Sequence, residues 1–524
     1  MNDPKQFPAD YKFDPETGKP ILHLAPIEKR DRVYPYVCAA LCLLAANFTL
    51  FGGFAAGFSI AFILLAVCAL LFLGDRLHYR PFNLICLLSA FVVSASFSIY
   101  PNSAFSFFKL WFLALAVSVF FMDACGLRAP VLCDWRAAFA PFYLLAVGGG
   151  NISYTARSLG RGQVRFGKKF SKILLGILIA LPALAVLLAL LQRADAAFES
   201  LVSSLHIRFG EIIATVLFGG LLFLFLFCML FALRKRHTNE RPGSQKAYAS
   251  FCDPTVANTI LVAVSILYAI YLLSQIGYFF GGFKGELPVA YTFAEYARRG
   301  VGEMCAVSVI NLILIFFAHL LVRRKEEVLP ALTRALLFFI SFFSILLIAA
   351  AIAKMLLYIG QYGLTFLRLG TSVFMLFLFF VFLAVILRLF RAHFPYMRMI
   401  VVAACLIMAV SSLADIESAA AHYNFYAYQN GVHDSIDVAY LGDCQDSAVP
   451  LLVELAHGED QALAEDAYRE LFWILRTHAD IRYDGTIQEW KHRDIRSIHV
   501  AYVNADRLLR QYAGEILQHS QDLR

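Results

Sequence analysis

The sequence has few charged residues. Only 16% of its 524 residues are Asp, Glu, Lys or Arg, whereas soluble domains carry about 25%. Hydrophobic residues make up 60% of the chain, and apolar runs of about 18 residues or more, each a candidate transmembrane helix, recur along most of it. This composition excludes an ordinary soluble protein and predicts that lipid is the main solvent.

Motifs that would assign a reaction are also lacking. The sequence contains no HExxH, no GxSxG and no pair of aspartates within an apolar run. Gly148, Gly149, Gly150 and Asn151 do not have the spacing of a phosphate-binding loop, so we expect a flexible break there. A membrane-embedded enzyme is therefore the hypothesis that the sequence supports least, and we assign no catalytic residue.

Metal-binding patterns are absent as well. Most of the eleven cysteines lie inside apolar runs and are interpreted as small hydrophobic residues. The others and the histidines have neither zinc-ligand spacing nor a disulfide framework. We therefore expect no metal and no cofactor. The net charge is +7, but no basic domain stands apart from the apolar runs, so we also expect no binding to nucleic acid.

The apolar runs predict an all-α fold: a polytopic membrane protein with about eleven transmembrane helices and a small helical domain at the C-terminus. Residues 1–32 are polar and form a predicted cytoplasmic tail, residues 33–414 the transmembrane domain and residues 415–524 the soluble domain. The predicted spans are Val33–Phe51, Phe54–Leu73, Phe82–Ser98, Ala104–Met122, Ile173–Leu191, Ile212–Leu233, Val256–Phe279, Val301–Val322, Ala331–Leu357, Leu364–Leu387 and Met399–Leu413.

Basic residues follow every second span. Arg76 and Arg80 follow the second span and Arg234 follows the sixth, whereas the loop at Gly52 has no Lys or Arg. Because basic loops stay in the cytoplasm, this alternation predicts an N-terminus inside. An odd number of spans then predicts a C-terminal domain outside, and one miscounted span would reverse its side.

The C-terminal domain is predicted from amphipathic patterns. Leu451–His457, Gln461–Thr477 and Arg496–Gln518 have the spacing of amphipathic helices. The segment Asp415–Asp443 before them is polar and aromatic, and we expect it to be a partly extended connector.

A segment rich in charge of both signs precedes the eighth span. Glu295, Arg299 and Glu303 recur at every fourth position, and Arg298 lies beside them. On a helix these side chains form a ladder along one face. The ladder is a candidate site for binding or gating an anionic solute, or alternatively a purely structural set of ion pairs.

A second candidate group lies at the end of the ninth span. Lys354, Tyr358 and Tyr362 recur every four residues, and Arg368 begins the tenth span. These side chains either reach toward the membrane surface, as Lys, Arg and Tyr commonly do near helix ends, or face Glu295 and Glu303. Asn311 adds a polar side chain within the eighth span.

Four runs resemble a bacterial family of multi-pass membrane proteins, the domains of unknown function four-one-seven-three and four-one-five-three, which are close relatives. The similarity begins near the third span. It implies a helical inner-membrane protein with a small helical tail, and it implies no activity. The runs are Thr292–Leu312, which contains TFAEYARRG; Lys354–Arg368, which reads KMLLYIGQYGLTFLR; Arg193–Leu201, which reads RADAAFESL; and Ser447–Leu455, which reads SAVPLLVEL.

Two functional hypotheses follow for a protein of the bacterial cytoplasmic membrane, surrounded by lipid bilayer. The first is a permease for a small polar or anionic solute, because the predicted spans are numerous enough to enclose a path and the charged ladder provides a site. The second is a sensor or assembly protein without transport activity, whose C-terminal helices bind a protein partner.

Overall fold

A computed structural model describes residues 12–13, 20–21, 27–100, 105–127, 135–161, 176, 209–235, 253–282, 293–322, 329–391, 394–482 and 486–522. Within these residues the chain is almost entirely helical, apart from two short antiparallel strand pairs. The strands are β1 (Lys12–Phe13), β2 (Pro20–Ile21), β3 (Ala479–Ile481) and β4 (Ile487–Trp490).

The helices vary from single turns to membrane-spanning lengths. They are α1 (Lys29–Gly52), α2 (Ala56–Leu73), α3 (Pro81–Ser96), α4 (Ser106–Ala124), α5 (Ala140–Gly150), α6 (Ile152–Arg161), α7 (Phe209–Arg234), α8 (Pro254–Gly282), α9 (Phe293–Leu321), α10 (Ala331–Tyr362), α11 (Phe366–Phe390), α12 (Tyr396–Ala414), α13 (Ile416–Gln429), α14 (Val438–Asp443), α15 (Val449–Ala456), α16 (Gln461–His478) and α17 (Val500–Asp522).

Nine helices of the described part are long and apolar enough to cross a membrane, which confirms an all-α polytopic membrane protein. In lipid a backbone must satisfy its own hydrogen bonds, and a helix does so within one segment. Every predicted span coincides with a described helix except Ile173–Leu191, which lies outside the described residues apart from Gly176. The third span is shorter than expected, since α3 has only 16 residues.

The chain divides into two compact units. The first comprises Met1–Ala129, Ala138–Ser244 and Trp490–Asn504, and the second comprises Pro130–Ala137, Gln245–Glu489 and Ala505–Arg524. The domain boundaries predicted at residues 32 and 414 separate apolar from polar sequence, whereas these units are defined by contacts. The predicted boundaries therefore stay predictions.

In the first unit, α1 and α7 pack closely over their whole length. At the middle of the pair, a Cβ on Gly219 would lie 2.9 Å from the Leu43 Cα atom, so the absence of a side chain allows this approach. Near one end, the Asn47 amide donates to the Thr215 hydroxyl at 3.2 Å.

An ion cluster closes the other end of the α1–α7 pair. The Arg234 guanidinium lies 2.6 Å from the Glu28 carboxylate, and the Lys235 ammonium lies 2.7 Å from Asp31. Asp31 is fully buried. Hydrogen bonds from Arg234 and Lys235 hold the pKa of Glu28 below its usual value. A buried carboxylate needs such partners because unpaired charge is costly to bury.

The short helix α5 runs in the same direction as α4. Phe142 at its start contacts Trp111 near the start of α4, and Gly148 at its end lies against the Phe225 carbonyl of α7. With 11 residues α5 covers only about half of a hydrocarbon core. The flexible break expected at Gly148, Gly149 and Gly150 was wrong: all three are helical, and a Cβ on Gly148 would lie 2.6 Å from that carbonyl oxygen.

A segment near the C-terminus also belongs to the first unit. The Gly57 N–H donates to the Arg496 carbonyl at 3.2 Å, and the Val500 N–H donates to the Ser98 carbonyl at 2.9 Å. The Arg496 guanidinium reaches Glu211 at 3.7 Å. This segment therefore lies against the end of α1 and the start of α2, against the α3–α4 loop and against the start of α7.

In the second unit, α10 lies at the centre and packs against α8, α9 and α11. Its fully buried side chains include Leu337 and Ile340, and Met375 of α11 is equally buried. The helices that follow α12 in this unit are α13 to α16 and the part of α17 from Ala505 onward. The predicted helices at Leu451–His457 and Gln461–Thr477 correspond to α15 and α16.

The partly extended connector predicted for Asp415–Asp443 was wrong, because α13 and α14 occupy most of it. Asp415 adopts a φ of 47°, a backbone conformation that Asp tolerates better than most residues. Its carboxylate accepts from the Ser418 N–H at 3.2 Å and so begins α13 directly after α12.

Candidate functional site

The charged ladder begins on the first turns of α9. The backbones of Glu295, Arg298 and Arg299 are helical, but the positions of their side chains lie outside what the structure describes. Glu303, two turns further on, is the first ladder residue with a described side chain, and it is exposed.

Glu303 interacts with the neighbouring helix. Its carboxylate interacts electrostatically with Lys354 of α10, whose side chain is half-buried. The structure therefore brings together two residues that the sequence places on separate spans.

A second polar contact lies deeper between the same two helices. The Asn311 amide is fully buried and donates to the Ser344 hydroxyl at 2.9 Å. The Tyr268 hydroxyl of α8 donates to the Asn311 carbonyl oxygen. Asn311 thus joins α8, α9 and α10 inside the second unit.

The remaining candidates gather at the junction of α10 and α11. The Arg368 guanidinium donates to the carbonyl oxygens of Tyr362 at 2.7 Å and Gly363 at 2.5 Å, and it lies 4.2 Å from the Tyr358 ring centroid. The Tyr358 and Tyr362 rings meet edge to face at 5.2 Å. A cation at the C-terminal end of a helix is favoured by the helix dipole. Arg368 in this geometry therefore stabilises the end of α10.

Two residues that sequence reasoning missed hold the same junction. The Leu364 N–H donates to the Asn424 side-chain oxygen at 2.6 Å, and the Asn424 amide donates to the Leu364 carbonyl at 2.7 Å. The Tyr440 hydroxyl accepts from the Phe366 N–H at 2.9 Å. Burial raises the pKa of Tyr440 to about 12, so the hydroxyl stays neutral.

Gly363 explains why these contacts are possible. Its φ of 72° favours glycine, and a Cβ there would lie 2.7 Å from the Asn424 oxygen. The predicted spans Ala331–Leu357 and Leu364–Leu387 placed a connection here. Asn424 and Tyr440, however, lie far along the chain in the segment expected to be extended. No sequence signal connected them to Leu364.

A buried histidine lies between two carboxylates in the part of the chain after α12. The His478 ring is fully buried, with Nε2 2.9 Å from the Asp446 carboxylate and Nδ1 3.4 Å from Asp506. Arg510 in turn contacts Asp506 at 2.7 Å. Among the described residues no group of three or more His, Cys, Asp or Glu could hold a metal ion, so we interpret these contacts as structural.

Comparison with known proteins identifies one family. The family described as Domain of unknown function (DUF4153) matches residues 87–455. That range contains α4 to α14, the charged ladder and the α10–α11 junction. No curated protein and no solved structure matches the chain.

Replacing Asn424 tests whether it holds the α10–α11 junction. In Asn424→Ala the Leu364 N–H and carbonyl both lose their partner, which costs about 1–3 kcal/mol for buried polar groups. We expect the Leu364 amide to exchange with deuterium at least about tenfold faster, since tenfold corresponds to about 1.4 kcal/mol. Asn430→Ala is the control, because the Asn430 amide bonds only to its own helix. Equal exchange rates of the Leu364 amide in the Asn424→Ala and Asn430→Ala variants would show that Asn424 does not hold the junction.

Proposed function

Because the chain belongs to the family Domain of unknown function (DUF4153), whose description assigns no activity, we propose its function from its geometry. The chain is a permease of the bacterial cytoplasmic membrane that moves a small polar or anionic solute. The observation that supports this best is the pair of polar contacts between α9 and α10.

The two contacts occupy different depths. Glu303 and Asn311 are two turns apart on α9, while Lys354 and Ser344 are nearly three turns apart on the antiparallel α10. At 1.5 Å per residue the contacts are about 12–15 Å apart along the helix axes. Polar groups therefore extend from the end of the α9–α10 interface toward its middle.

These groups are costly in a membrane. Charged side chains within spans are rare, and they commonly mark the path of a solute or proton. A leucine in place of Asn311 would fill the space between α8, α9 and α10 and would need no hydrogen-bond partner. The presence of Asn, Glu and Lys side chains at one helix interface therefore supports a functional surface.

The charges suggest how a solute would bind. An anion that approaches Lys354 competes with the Glu303 carboxylate for the same cation. The guanidinium groups of Arg298 and Arg299 would attract that anion, since guanidinium binds carboxylate and phosphate through paired hydrogen bonds. Glu303, once displaced, can take up a proton. Tyr358, Tyr362 and Arg368 keep the α10–α11 junction rigid in this scheme.

We propose the orientation from the loops. Arg76, Arg80, Arg234 and Lys235 belong to the cytoplasmic face by the charge rule. The α1–α2 loop then lies outside, and the segment around Arg496 that bonds to this loop lies outside with it.

Flux measurements with Glu303→Gln test the proposal. The substitution removes the charge that competes for Lys354 while it keeps the size of the side chain. Liposomes that contain the purified protein should take up at least one anion from a panel of small carboxylates and phosphates. Glu303→Gln should change the initial rate of this uptake by at least about tenfold. Such a change corresponds to about 1.4 kcal/mol in the barrier.

Glu489→Gln is the matched control, because Glu489 is an exposed carboxylate on β4. Its rate should equal that of the unmodified protein. The permease proposal fails if no solute of the panel enters faster than in protein-free liposomes, or if Glu303→Gln leaves every rate unchanged.

A second candidate function is a sensor or assembly protein whose C-terminal helices bind a protein partner. The Trp473 side chain on α16 is 55% exposed, and the Arg476 guanidinium lies 5.1 Å from its ring centroid. Exposed Trp and Arg side chains carry much of the binding energy at protein interfaces. Asn424 and Tyr440 attach the same group of helices to the α10–α11 junction. Binding of a partner to these helices would therefore be coupled to the transmembrane helices.

Photo-crosslinking in cells tests the second candidate. A photoreactive residue in place of Trp473 should give one discrete crosslinked species, because an interface excludes other neighbours. The same residue in place of Glu465, which is exposed on the same helix, is the control and should give none. Identical patterns at both positions would argue against a partner at Trp473.

A further inference from the structure

The junction of α5 and α6 combines a half-membrane helix with buried oxygen atoms. The helix α5 ends at Gly150, and α6 begins at Ile152. The Asn151 N–H donates to the Gly148 carbonyl at 3.2 Å. The last carbonyl groups of α5 carry the negative end of its dipole and point toward Asn151.

Three side chains on one face of the junction have a buried oxygen atom without a strong hydrogen-bond partner among the described residues. Asn151, Thr155 and Ser158 are 1%, 3% and 1% exposed. The Asn151 Oδ1, Thr155 Oγ1 and Ser158 Oγ atoms have no hydrogen-bond partner in the part of the chain that the structure describes. The Thr155 hydroxyl is within hydrogen-bonding reach of the Cys228 thiol of α7, and a thiol is only a weak partner. A buried oxygen without a strong partner is costly to bury, so these groups favour a ligand that completes their contacts.

The spacing brings these oxygens together. Positions 151, 155 and 158 are four and three residues apart, which places them on one helix face. Helical side chains lean toward the N-terminal end of their helix, so the hydroxyls of Thr155 and Ser158 lean toward Asn151 and the end of α5. Asn151 and Thr155 can therefore contact one ligand, and Ser158 is one turn away.

The chemistry of the atoms selects the ligand class. The Asn151 amide nitrogen already donates to the Val147 carbonyl at 2.7 Å, so its oxygen is the free group. Neutral oxygens and the negative end of a helix attract a cation and disfavour an anion. Mg²⁺ and Ca²⁺ in proteins bind mainly to carboxylates, and this face of α6 carries none.

We propose that the α5–α6 junction binds a monovalent hard cation, Na⁺ or K⁺, through the Asn151 and Thr155 side chains and the last carbonyls of α5. Ends of interrupted membrane helices hold Na⁺ in this way in transporters. Ser158 lies one turn away, beside the proposed site. The proposal rests on the buried oxygens alone and does not require that the protein is a permease.

Thermal unfolding of the full-length protein in detergent tests the site. The midpoint is measured in sodium, potassium, lithium and choline chloride at equal ionic strength, so that screening is constant. Sodium or potassium should raise the midpoint above its value in choline by about 2–4 °C, because a ligand that binds only the folded state stabilises it. The double variant Thr155→Val, Ser158→Ala should lose this difference.

Ser153→Ala is the control, since Ser153 is exposed on the same helix, and it should keep the difference. If the double variant does not fold, the nearly isosteric single variant Thr155→Val replaces it. Equal midpoints in all four salts would overturn the proposal, and so would a sodium or potassium effect of full size in the variants. Equal midpoints would mean that water alone fills the junction.

Discussion

A polar group that enters a lipid bilayer must find its partner inside the protein, and this constraint accounts for most of the contacts in this chain. The backbone satisfies it by forming helices. Asp31 satisfies it through Lys235 and Arg234 at one end of the α1–α7 pair, and Asn311 through Ser344 and Tyr268. The first contact joins two helices that are distant in sequence, α1 and α7, and the second joins three consecutive helices, α8 to α10. The pairing of polar groups therefore helps to select which helices become neighbours.

The same constraint separates structural groups from functional ones. Arg368 is engaged by two carbonyls and a tyrosine ring, so little of it is left to hold a solute. Glu303 is exposed at the helix surface beside Lys354, and we propose that an anion replaces it there. Asn151 and Thr155 differ from both, because their oxygens are buried without an adequate partner. We therefore expect a functional site in this protein where a polar group lacks an adequate partner or where a ligand can replace its partner.

Most of the fold could be predicted from the sequence, because the helix boundaries follow runs such as Phe366–Phe390 in which almost every residue is apolar. The contact between Glu303 and Lys354 could be anticipated from their similar depth. The links from Asn424 to Leu364 and from Tyr440 to Phe366 could not, since they connect residues 60 and 74 positions apart through ordinary polar side chains. The glycines of α5 were misinterpreted because glycine occurs both where helices pack closely and where the backbone is flexible.

The account depends most directly on which membrane face carries the segment around Arg496. One measurement decides it: labelling of single cysteines with a membrane-impermeant thiol reagent in intact cells, in a background without other cysteines. His492 and Tyr79 are both exposed, and Tyr79 lies between α2 and α3. The account predicts that a cysteine at position 492 reacts from outside, while one at position 79 reacts only after permeabilisation. Reaction of both positions from the same side would contradict the topology.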